Sequence, residues 1–387
     1  MTKFTAIDAF CGAGGLAAGL ERAGFITKAA FDVDGPAVTT FNRNVRSVAF
    51  VTDARELSGH DLLEHAGLEL GQLDLFAGGP PCQGFSRQKR GAHLGDDRNT
   101  LVVEFARLVV ETRPRFFMLE NVDQLGQKRG KAFVDRLAGL LPGYLLYSGF
   151  HNSADFGLAQ TRRRFVLVGR DPNLTARYYP PAPTVSAWTT VDEALAGIPE
   201  PPNDYSEHPH FANHQAARVT AENIRRFSHV PQGGGWQNIP EEFRLDCHKG
   251  VDPKAGGWPD VYGRLRANGQ APTITGGFDS FTRGRYGHPH QDRPITPREA
   301  ARLQGFPDEF VFEGNRGEVR SQIGNAVPPP LAEAFGTQIR KSLAAFDNGE
   351  VDLNDRGFEL ALLLQTHLPW ESLPVEQARQ VALEKSA

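Results

Sequence analysis

A cysteine follows two prolines in GGPPCQGFS, residues 78–86, directly after the apolar run LDLFA at 73–77. The glycines and prolines favour a rigid turn at the carboxyl end of a predicted strand, the edge where α/β sheets bind ligands. A thiol at such a turn, near cationic side chains, has a lowered pKa and is partly thiolate. These neighbours do not suit a small buried core residue. We therefore predict that Cys82 is a nucleophile.

A glutamate occupies a comparable position in FFMLENV, residues 116–122. A carboxylate at the end of an apolar strand is costly to bury unless it is paired. Glu120 could serve as a general acid, whereas an isolated glutamate at a strand end is often half of a loop ion pair. Because Cys82 is predicted one strand away, we interpret Glu120 as its catalytic partner.

The segment DAFCGAGGLAAG, residues 8–19, fits the glycine fingerprint of dinucleotide-binding folds, and Asp32 lies twenty residues after Gly12, where such folds bind a ribose hydroxyl. By itself the pattern allows a nicotinamide enzyme. That chemistry requires neither a thiolate nor an acid placed in this way, and a cysteine protease requires a histidine partner that no comparable motif supplies. A thiolate, a carboxylic acid and a ribose pocket together favour methyl transfer to an unreactive carbon of a pyrimidine ring.

The elements that must position these residues are short apolar runs that alternate with helical patterns through the first 170 residues. Such alternation predicts an α/β sheet with a parallel core. The predicted strands are 4–10, 26–31, 48–51, 73–79, 115–119, 144–150 and 164–169. The predicted helices are 14–23, 35–44, 98–112 and 131–141.

Beyond residue 172 the sequence becomes rich in proline, glycine, histidine, asparagine and arginine and loses clear periodicity. We therefore expect a loop-rich second domain rather than a continued sheet. Helical patterning returns at 296–306, with the signature of a capping box, and again at 328–346. The histidines of this region lack cysteine or carboxylate partners in the sequence, so we predict no metal site.

The composition is that of an ordinary globular protein, with 387 residues, 40% hydrophobic, and a net charge of −4. Residues 341–387 hold four Lys and Arg against eight Asp and Glu, which accounts for the whole imbalance. Basic residues cluster at 86–93, 160–165 and 283–290, and such clusters provide an electrostatic footprint for nucleic acid without a basic pI. Three cysteines in no paired motif, no apolar run long enough for a membrane span and no signal peptide predict a cytoplasmic protein.

These motifs, in this order, resemble those of DNA (cytosine-5) methyltransferases of the bacterial restriction–modification or orphan type. DAFCGAGG resembles the first cofactor motif, FDVD (31–34) the ribose-binding strand end and TDA (52–54) the adenine-contacting turn. GGPPCQGFS resembles the nucleophile loop and ENV (120–122) the acid motif. QTRRRFVLVG (160–169), RPITPREAARLQGFPDEF (293–310) and QIGNAVPPPLAEAFG (322–336) are similar to the later motifs of the family, so the matches span residues 7–340.

The resemblance implies a Rossmann-like, S-adenosylmethionine-dependent fold and a sequence-specific enzyme that methylates carbon 5 of a flipped-out cytosine through a covalent adduct with Cys82. Glu120 would stabilise charge entering the ring. Arg162 and Arg164, two apart on a predicted strand and so on one face, would orient the cytosine, the glutamate and the catalytic loop. The implied cofactor contacts are Phe10, Cys11, Gly12, Ala13, Gly14, Gly15, Asp32, Val33, Asp53, Ala54, Pro80, Leu101, Asn325 and Val327.

One departure from the family pattern concerns the ribose-binding strand end. The family more often has glutamate at position 32 and an aromatic residue at position 33. Asp32 is one methylene shorter and Val33 cannot stack on an adenine ring. We therefore expect a modest affinity for the cofactor and no effect on the chemistry.

The resemblance also implies how the chain is divided and what it binds. A catalytic and cofactor-binding domain would comprise 1–180 and 319–345, a target-recognition domain with its hinge 181–318, and a C-terminal helical extension 346–387. The implied DNA contacts are Gln83, Ser86, Arg87, Lys89, Arg90, Arg98, Arg264, Thr273, Arg283 and Arg285. The expected partners are double-stranded DNA and a cognate restriction endonuclease, with the chain itself a monomer that does not associate with membranes.

Two alternatives stay open at the level of sequence. The same fold could methylate RNA such as tRNA, although the large irregular region at 181–292 favours duplex DNA. A catalytically idle DNA-binding module is disfavoured by the intact set of Cys82, Glu120, Arg162, Arg164 and Asn325. A nicotinamide dehydrogenase is the least favoured interpretation.

Overall fold

The structure, a computed structural model, describes residues 3–81, 100–127, 130–141, 143–252 and 260–350. The predicted nucleophile, Cys82, lies outside the described residues. So do six of the predicted DNA contacts, which are Gln83, Ser86, Arg87, Lys89, Arg90 and Arg98. Most of the predicted C-terminal extension also lies outside them.

Seven strands form one sheet in the order β3-β2-β1-β4-β5-β7-β6. The strands from β1 to β5 run parallel, and β7 is inserted antiparallel between β5 and β6. Each of them coincides with a predicted apolar run, so the α/β class and its parallel core are confirmed. Their bounds are β1 Phe4–Ala9, β2 Phe25–Asp32, β3 Ala49–Val51, β4 Leu75–Gly78, β5 Phe116–Val122, β6 Leu145–Asn152 and β7 Arg163–Arg170.

The α-helices of the described residues include all six that the sequence patterns predict. Four helices of five to ten residues, α3, α6, α7 and α9, were missed because such short segments give little more than two turns of apolar periodicity. Helix α3 is the one in the first unit. Its local signals are nevertheless present: the Ser58 side chain caps its first turn, and Gly67 ends it with a φ of 62°. The bounds are α1 Gly15–Arg22, α2 Gly35–Asn44, α3 Gly59–Ala66, α4 Thr100–Thr112, α5 Lys131–Leu140, α6 Val191–Leu195, α7 Ala221–Ser228, α8 Pro297–Leu303, α9 Arg316–Asn325 and α10 Pro329–Asp347.

Helices cover both faces of the sheet, as an all-parallel core requires. On one face Phe31 of β2 belongs to a large apolar cluster with residues of α3, α4 and α5. The residue before it in β2, Ala30, belongs to a smaller cluster with Ala17 of α1 and Phe41 of α2. Since successive strand residues point to opposite faces, the two clusters lie on opposite sides of the sheet.

The chain divides into two compact units. The first unit consists of 1–152, 163–184 and 331–387, and the second of 153–162 and 185–330. This division differs from the predicted domains, because 153–162 and 319–330 belong to the second unit. The reason is visible in Gln160, whose amide is hydrogen-bonded to the backbone of Ile274 and Leu303 within that unit.

The second unit has little regular structure, as the loss of periodicity predicts. Its described residues form short helices and isolated bridges, such as those joining Gln160 to Ala271 and Arg264 to Gly287. A small apolar cluster around Phe227, Trp236 and Tyr262 provides its core. Among the helices of the described residues, none is both long and apolar enough to cross a membrane.

Candidate active site

The carboxyl ends of the central strands bring the predicted cofactor and catalytic residues into one row. Ala9 of β1 is paired with Phe31 of β2 and with Gly78 of β4, which in turn is paired with Leu119 of β5. Asp32 and Glu120 are each the next residue, one step beyond this row. The strand order reverses between β1 and β4, and such a switch point is where open α/β sheets bind ligands.

The glycine loop after β1 has three sites of left-handed backbone and an open position at Gly12. Phe10, Gly12 and Gly14 have φ values of 55°, 50° and 95°, a region that non-glycine residues such as Phe10 adopt only when the surroundings enforce it. A Cβ at Gly14 would come within 2.8 Å of the Phe41 ring, whereas one at Gly12 would meet no described atom within 4 Å. The loop is therefore closely packed against α2 and open above Gly12.

Asp32 supports this loop with its carboxylate. One oxygen accepts the backbone N–H of Gly12 at 2.8 Å, and the other accepts that of Asp34 at 3.0 Å. Burial raises the pKa of Asp32 above its usual range, and the two N–H donors oppose that shift. Each oxygen keeps a lone pair, so the carboxylate can accept further hydrogen bonds from a ligand.

Asp8 is a second buried carboxylate near the glycine loop, and the sequence analysis missed it. It accepts the backbone N–H of Ala17 at 3.1 Å, at the first turn of α1, whose N-cap residue Gly14 offers no side chain. Burial raises its pKa well above the usual value, and its other oxygen has no hydrogen-bond partner among the described residues. Asp8 thus caps the helix that the glycine loop begins.

Two exposed valines flank the ends of β2 and β3. Val33 is 65% exposed and Val51 58% exposed, and the register pairs Val51 with Asp32. Two apolar side chains left in solvent beside a carboxylate provide a wall against which a flat apolar ring can lie. No sequence pattern singled out Val51.

Asp53, the predicted adenine contact, already has a partner in its own turn. Its carboxylate binds the Arg55 guanidinium at 2.7 Å, and the hydrogen bonds from Arg55 lower the pKa of Asp53. The neighbouring Ala54 is buried, and its carbonyl accepts a hydrogen bond from Arg107. A ligand at this turn would have to share Asp53 with Arg55.

The remaining predicted cofactor contacts of the first unit are largely enclosed. Cys11 is buried, and burial raises the pKa of its thiol well above the usual value, so it is a small filler rather than a nucleophile. Leu101 of α4 is partly buried against the large apolar cluster. Ala13, Gly15 and Pro80 are buried.

Glu120 forms an ion pair with Arg164 at the end of the sheet. Val122 of β5 is paired with Arg164 of β7 in the antiparallel register, so Glu120, two residues away on the same face, is the diagonal neighbour of Arg164. The Arg164 Nε lies 2.9 Å from a Glu120 oxygen, and both side chains are about nine-tenths buried. An ion pair shielded from water in this way fixes the orientation of the carboxylate.

Asn121 is a neighbouring residue that the sequence analysis missed. Its side-chain amide donates to the carbonyl of Pro80 at 2.9 Å, in a buried position. Pro80 stands two residues before Cys82. Asn121 therefore holds the start of the predicted nucleophile loop against the strand that carries Glu120. The signal was its place within ENV, directly after the predicted acid.

Arg162, which the resemblance assigns to orienting the glutamate together with Arg164, also has a structural role in the second unit. It precedes β7, is buried, and donates to the carbonyls of Ile274, Gly324 and Ala326. These carbonyls have no strand partners, which is why they capture the guanidinium. Arg162 thus positions the 271–277 loop and the 322–327 segment within the second unit.

Gln160 acts with Arg162, and the sequence analysis missed it too. Its amide nitrogen donates to Gln304 at 2.8 Å, and Gln304 donates in turn to the carbonyl of Ile323. Both glutamines are fully buried. Of the two cofactor contacts predicted nearby, Asn325 is exposed at the end of α9 and Val327 is 9% exposed.

The four predicted DNA contacts in the described part of the second unit fall into three groups. Arg264 is 6% exposed, and its guanidinium donates to the carbonyls of Val230, Phe227, His288 and Gln291. It is an internal residue, so we do not retain it as a DNA contact. Arg285 is half-buried and bound to Asp260. Thr273 and Arg283 keep accessible side chains.

The buried histidine His214 of the second unit is bonded to protein groups. His214 lies 2.9 Å from the Thr296 hydroxyl on one side and 2.9 Å from the Pro199 carbonyl on the other, so both ring nitrogens are occupied. The group in the described residues with metal-ligand geometry is His60, Asp61 and Glu64, all exposed on α3. Exposed acidic groups are common without an ion, and nothing else there indicates a metal site.

Comparisons with known proteins identify the family to which this chain is similar. A sequence model of the C-5 cytosine-specific DNA methylases matches residues 4–341. The type II methyltransferase M1.HphI of Haemophilus parahaemolyticus is 34% identical over 349 residues, covering 88% of this chain and 87% of that protein. The type II methylase M.HgiDII of Herpetosiphon aurantiacus is 34% identical over 346 residues, covering 87% and 95%.

A solved structure has the same fold. It is a putative DNA modification methyltransferase encoded within a prophage of Escherichia coli, with a TM-score of 0.67 and 28% sequence identity. The match covers 88% of this chain and all of that chain. The Rossmann-like methyltransferase fold implied by the sequence motifs is therefore confirmed.

Proposed function

Because the chain belongs to the family of C-5 cytosine-specific DNA methylases, we propose that it transfers a methyl group from S-adenosylmethionine to carbon 5 of a cytosine in double-stranded DNA. The observation that carries the proposal is the buried Glu120–Arg164 ion pair, one step beyond the paired row of strand ends. On the same strand Asn121 holds the Pro80 carbonyl, two residues before Cys82. Asn121 thus holds Pro80, which precedes the predicted nucleophile, against the strand that carries Glu120.

The residues at the ends of β1, β2 and β3 fit S-adenosylmethionine. The open backbone at Gly12 suits the methionine part, the Asp32 carboxylate suits the ribose hydroxyls, and the exposed Val33 and Val51 suit the adenine ring. When bound, this cofactor supplies an electrophilic methyl group. In the second unit, Asn325 and Val327 are the proposed further contacts.

The chain's own residues would activate the cytosine. Carbon 5 is a poor nucleophile until the Cys82 thiolate adds to carbon 6, which moves the double-bond electrons into the ring and makes carbon 5 electron-rich. Glu120, oriented by Arg164, would hydrogen-bond ring nitrogen 3 and the exocyclic amine and stabilise the charge that enters the ring. Once carbon 5 carries the methyl group, loss of its proton to a base would expel the thiolate from carbon 6 and restore the aromatic ring.

Carbon 6 of a stacked cytosine is not accessible to a thiolate. We therefore propose that the target base is turned out of the duplex, which costs a few kcal/mol. The predicted contacts Gln83, Ser86, Arg87, Lys89, Arg90 and Arg98 would bind the DNA around the extruded base, with Thr273 and Arg283 contributing from the second unit. The proposed acting form is a monomer.

The test is methyl transfer from radiolabelled S-adenosylmethionine to duplex DNA or to tRNA. The wild type is compared with Cys82→Ala and, as a matched control, with Cys247→Ala, which removes an exposed cysteine. Label in DNA that disappears in the Cys82 variant and persists in the Cys247 variant supports the proposal. Label in tRNA alone supports an RNA methyltransferase, and DNA binding without transfer to either supports an idle binding module.

A covalent adduct is tested separately with duplex DNA that contains 5-fluorocytosine. The fluorine cannot leave as a proton does, so the adduct with Cys82 should survive denaturation. Bisulfite sequencing of DNA methylated by the wild type then identifies the recognised sequence. A cognate restriction endonuclease, the proposed partner in the same system, would have to be blocked by methylation of that sequence.

A further inference from the structure

The arginines of the second unit are mostly occupied by internal partners. Ten of them donate to backbone carbonyls or pair with carboxylates, and they are Arg162, Arg226, Arg244, Arg264, Arg285, Arg293, Arg298, Arg302, Arg316 and Arg320. Four others are exposed, and their guanidinium groups form no hydrogen bond or ion pair with described residues. These four are Arg218, Arg225, Arg266 and Arg283.

Arg266 differs from the other three in how its arm, the aliphatic stem of the side chain, is packed. A Cβ at Gly233 would lie 2.3 Å from its Nε and 3.0 Å from its Cγ, and a Cβ at Gly269 would lie 3.3 Å from its Cβ. The aliphatic stem therefore lies in a slot between two glycines, and the charged end extends beyond it. A side chain at Gly233 would displace the arm, whereas one at Gly269 would press on its base at the Cβ.

The base of this arm is fixed by the backbone around it. The amide of Gly233 donates to the carbonyl of Arg264 at 3.1 Å, and the amide of Arg264 donates to the carbonyl of Gly234 at 3.1 Å. The amide of Leu265 donates to the carbonyl of Gly287 at 2.9 Å. Two chain segments thus hold Arg264 and Leu265, the two residues before Arg266.

The other exposed arginines already have a partner or a less confined arm. The guanidinium carbons of Arg218 and Arg225 lie 5.5 Å and 4.0 Å from the ring centroids of Tyr205 and Phe243. The arm of Arg283 lies against one glycine, Gly277. Among these four exposed arginines, Arg266 therefore has the side chain that is confined by two glycines. Its guanidinium donors have no partner among the described residues.

We propose that Arg266 determines sequence specificity by reading the edge of a guanine in the major groove. This inference rests on the proposed function. A guanidinium offers a planar pair of donors that matches the O6 and N7 acceptors of guanine. An arm that is already confined loses less conformational freedom on binding than a free one. A cation that only needed to attract phosphate would not require such a slot.

The experiment measures methylation of a duplex library in which each position of the recognised sequence is varied, with bisulfite sequencing as the readout. Arg266→Ala should lower the preference for guanine at one position by about 5- to 100-fold and leave the other positions unchanged. Gly269→Ala keeps the charge but presses on the arm, so it should weaken the preference at that same position to a smaller degree. Arg218→Ala, the matched control, should leave the whole profile as in the wild type.

Two results would overturn the inference while leaving the proposed function intact. If Arg266→Ala reduces methylation equally on all sequences and lowers the salt dependence of DNA binding by about one ion, Arg266 contacts a phosphate. If the variant's profile and rate equal those of the wild type, Arg266 is a surface residue. A wild type that methylates no DNA would instead refute the proposed function, and this inference with it.

Discussion

Backbone carbonyls in the first unit pair along seven strands, whereas in the second unit many of them are bound by arginine side chains. The contrast is clearest in the buried residues. The first unit is filled by apolar side chains such as Phe31, Phe76 and Phe117. In the second unit the largest fully buried side chain is Arg298, which donates to the carbonyls of Ala212, Pro307 and Phe310.

The difference between the two units arises because loops lack the regular backbone hydrogen bonds of strands. A strand satisfies its polar backbone by repetition, but an irregular segment leaves carbonyls that must be bonded one by one. A guanidinium has five donors on a rigid plane and can satisfy several of them at once. The first unit therefore offers rigid strand ends for chemistry, and the second offers loops whose shape depends on a few cations.

The largest expected effect belongs to the first unit. Glu120→Gln keeps the size of the side chain and removes its charge, so methyl transfer at saturating substrates should fall about 10²- to 10⁴-fold. The free energy of unfolding should change far less than the activity, because the sheet is held by its strands. The measurements are kcat and a urea unfolding curve.

The matched control for this variant is Glu64→Gln, which changes an exposed glutamate on α3 and should have wild-type activity. A Glu120→Gln protein with kcat within threefold of the wild type would show that the Arg164-bound carboxylate is not needed for the reaction.

The second-largest effect concerns the second unit, where the substitution of a buried arginine should lower the free energy of unfolding. Arg298→Met fills the same space but leaves three buried carbonyls without donors, at about 1–3 kcal/mol each. We expect the free energy of unfolding to fall by about 3–5 kcal/mol. Urea unfolding followed by the fluorescence of the buried Trp236 is the measurement.

Arg283→Met is the control for this loss, since Arg283 is exposed and its guanidinium makes no hydrogen bond in the described part of the chain. It should change stability by less than about 0.5 kcal/mol. Equal effects of the two substitutions would mean that the second unit does not depend on internal arginines.

A smaller effect is the loss of stability at acid pH, and each unit contains a buried histidine that should contribute to it. Burial lowers the pKa of His151 in the first unit and of His288 in the second to about 4, against about 6.5 in an unfolded chain. Between these values the unfolded state binds the extra proton, so stability falls as the pH falls from 6.5 to 4. Each histidine should contribute a loss of about 3 kcal/mol at most.

For His288, burial is the largest cause of the shift. Glu299 raises its pKa, while Arg293, His290 and Arg264 lower it further. In His288→Asn the amide oxygen can replace Nδ1, which accepts the N–H groups of His290 and Gln291, so the fold should persist. The urea midpoint should then fall less between pH 6.5 and 4.5 than in the wild type.

The exposed His210 provides the control. His210→Asn should show the same acid loss as the wild type. A pH dependence of His288→Asn that matches the wild type would show that His288 is not a source of the acid loss.

Much of the first unit and of its candidate site could be predicted from the sequence. Apolar runs with the right spacing identified all seven strands, and polar residues at run ends identified Asp32 and Glu120 as candidates. The eight-residue α3 was missed because short helices carry little periodicity. Asn121 and Gln160 were missed because their roles depend on backbone groups far away in the chain, such as the carbonyls of Pro80 and Leu303. Asp8 was missed although its partner, the N–H of Ala17, is only nine residues away, because no sequence pattern marks a side chain that caps the following helix from within a strand.

The sequence by itself determined the family, the α/β class and the ends of the strands, because motif order and two-residue or 3.6-residue periodicity are local properties. Only the tertiary structure decided the roles of the arginines. Arg264 and Arg266 are two residues apart, yet one is buried among four carbonyls and the other extends into solvent from a glycine slot. A loop has no repeating geometry, so the direction of each arginine depends on which distant carbonyls remain unpaired.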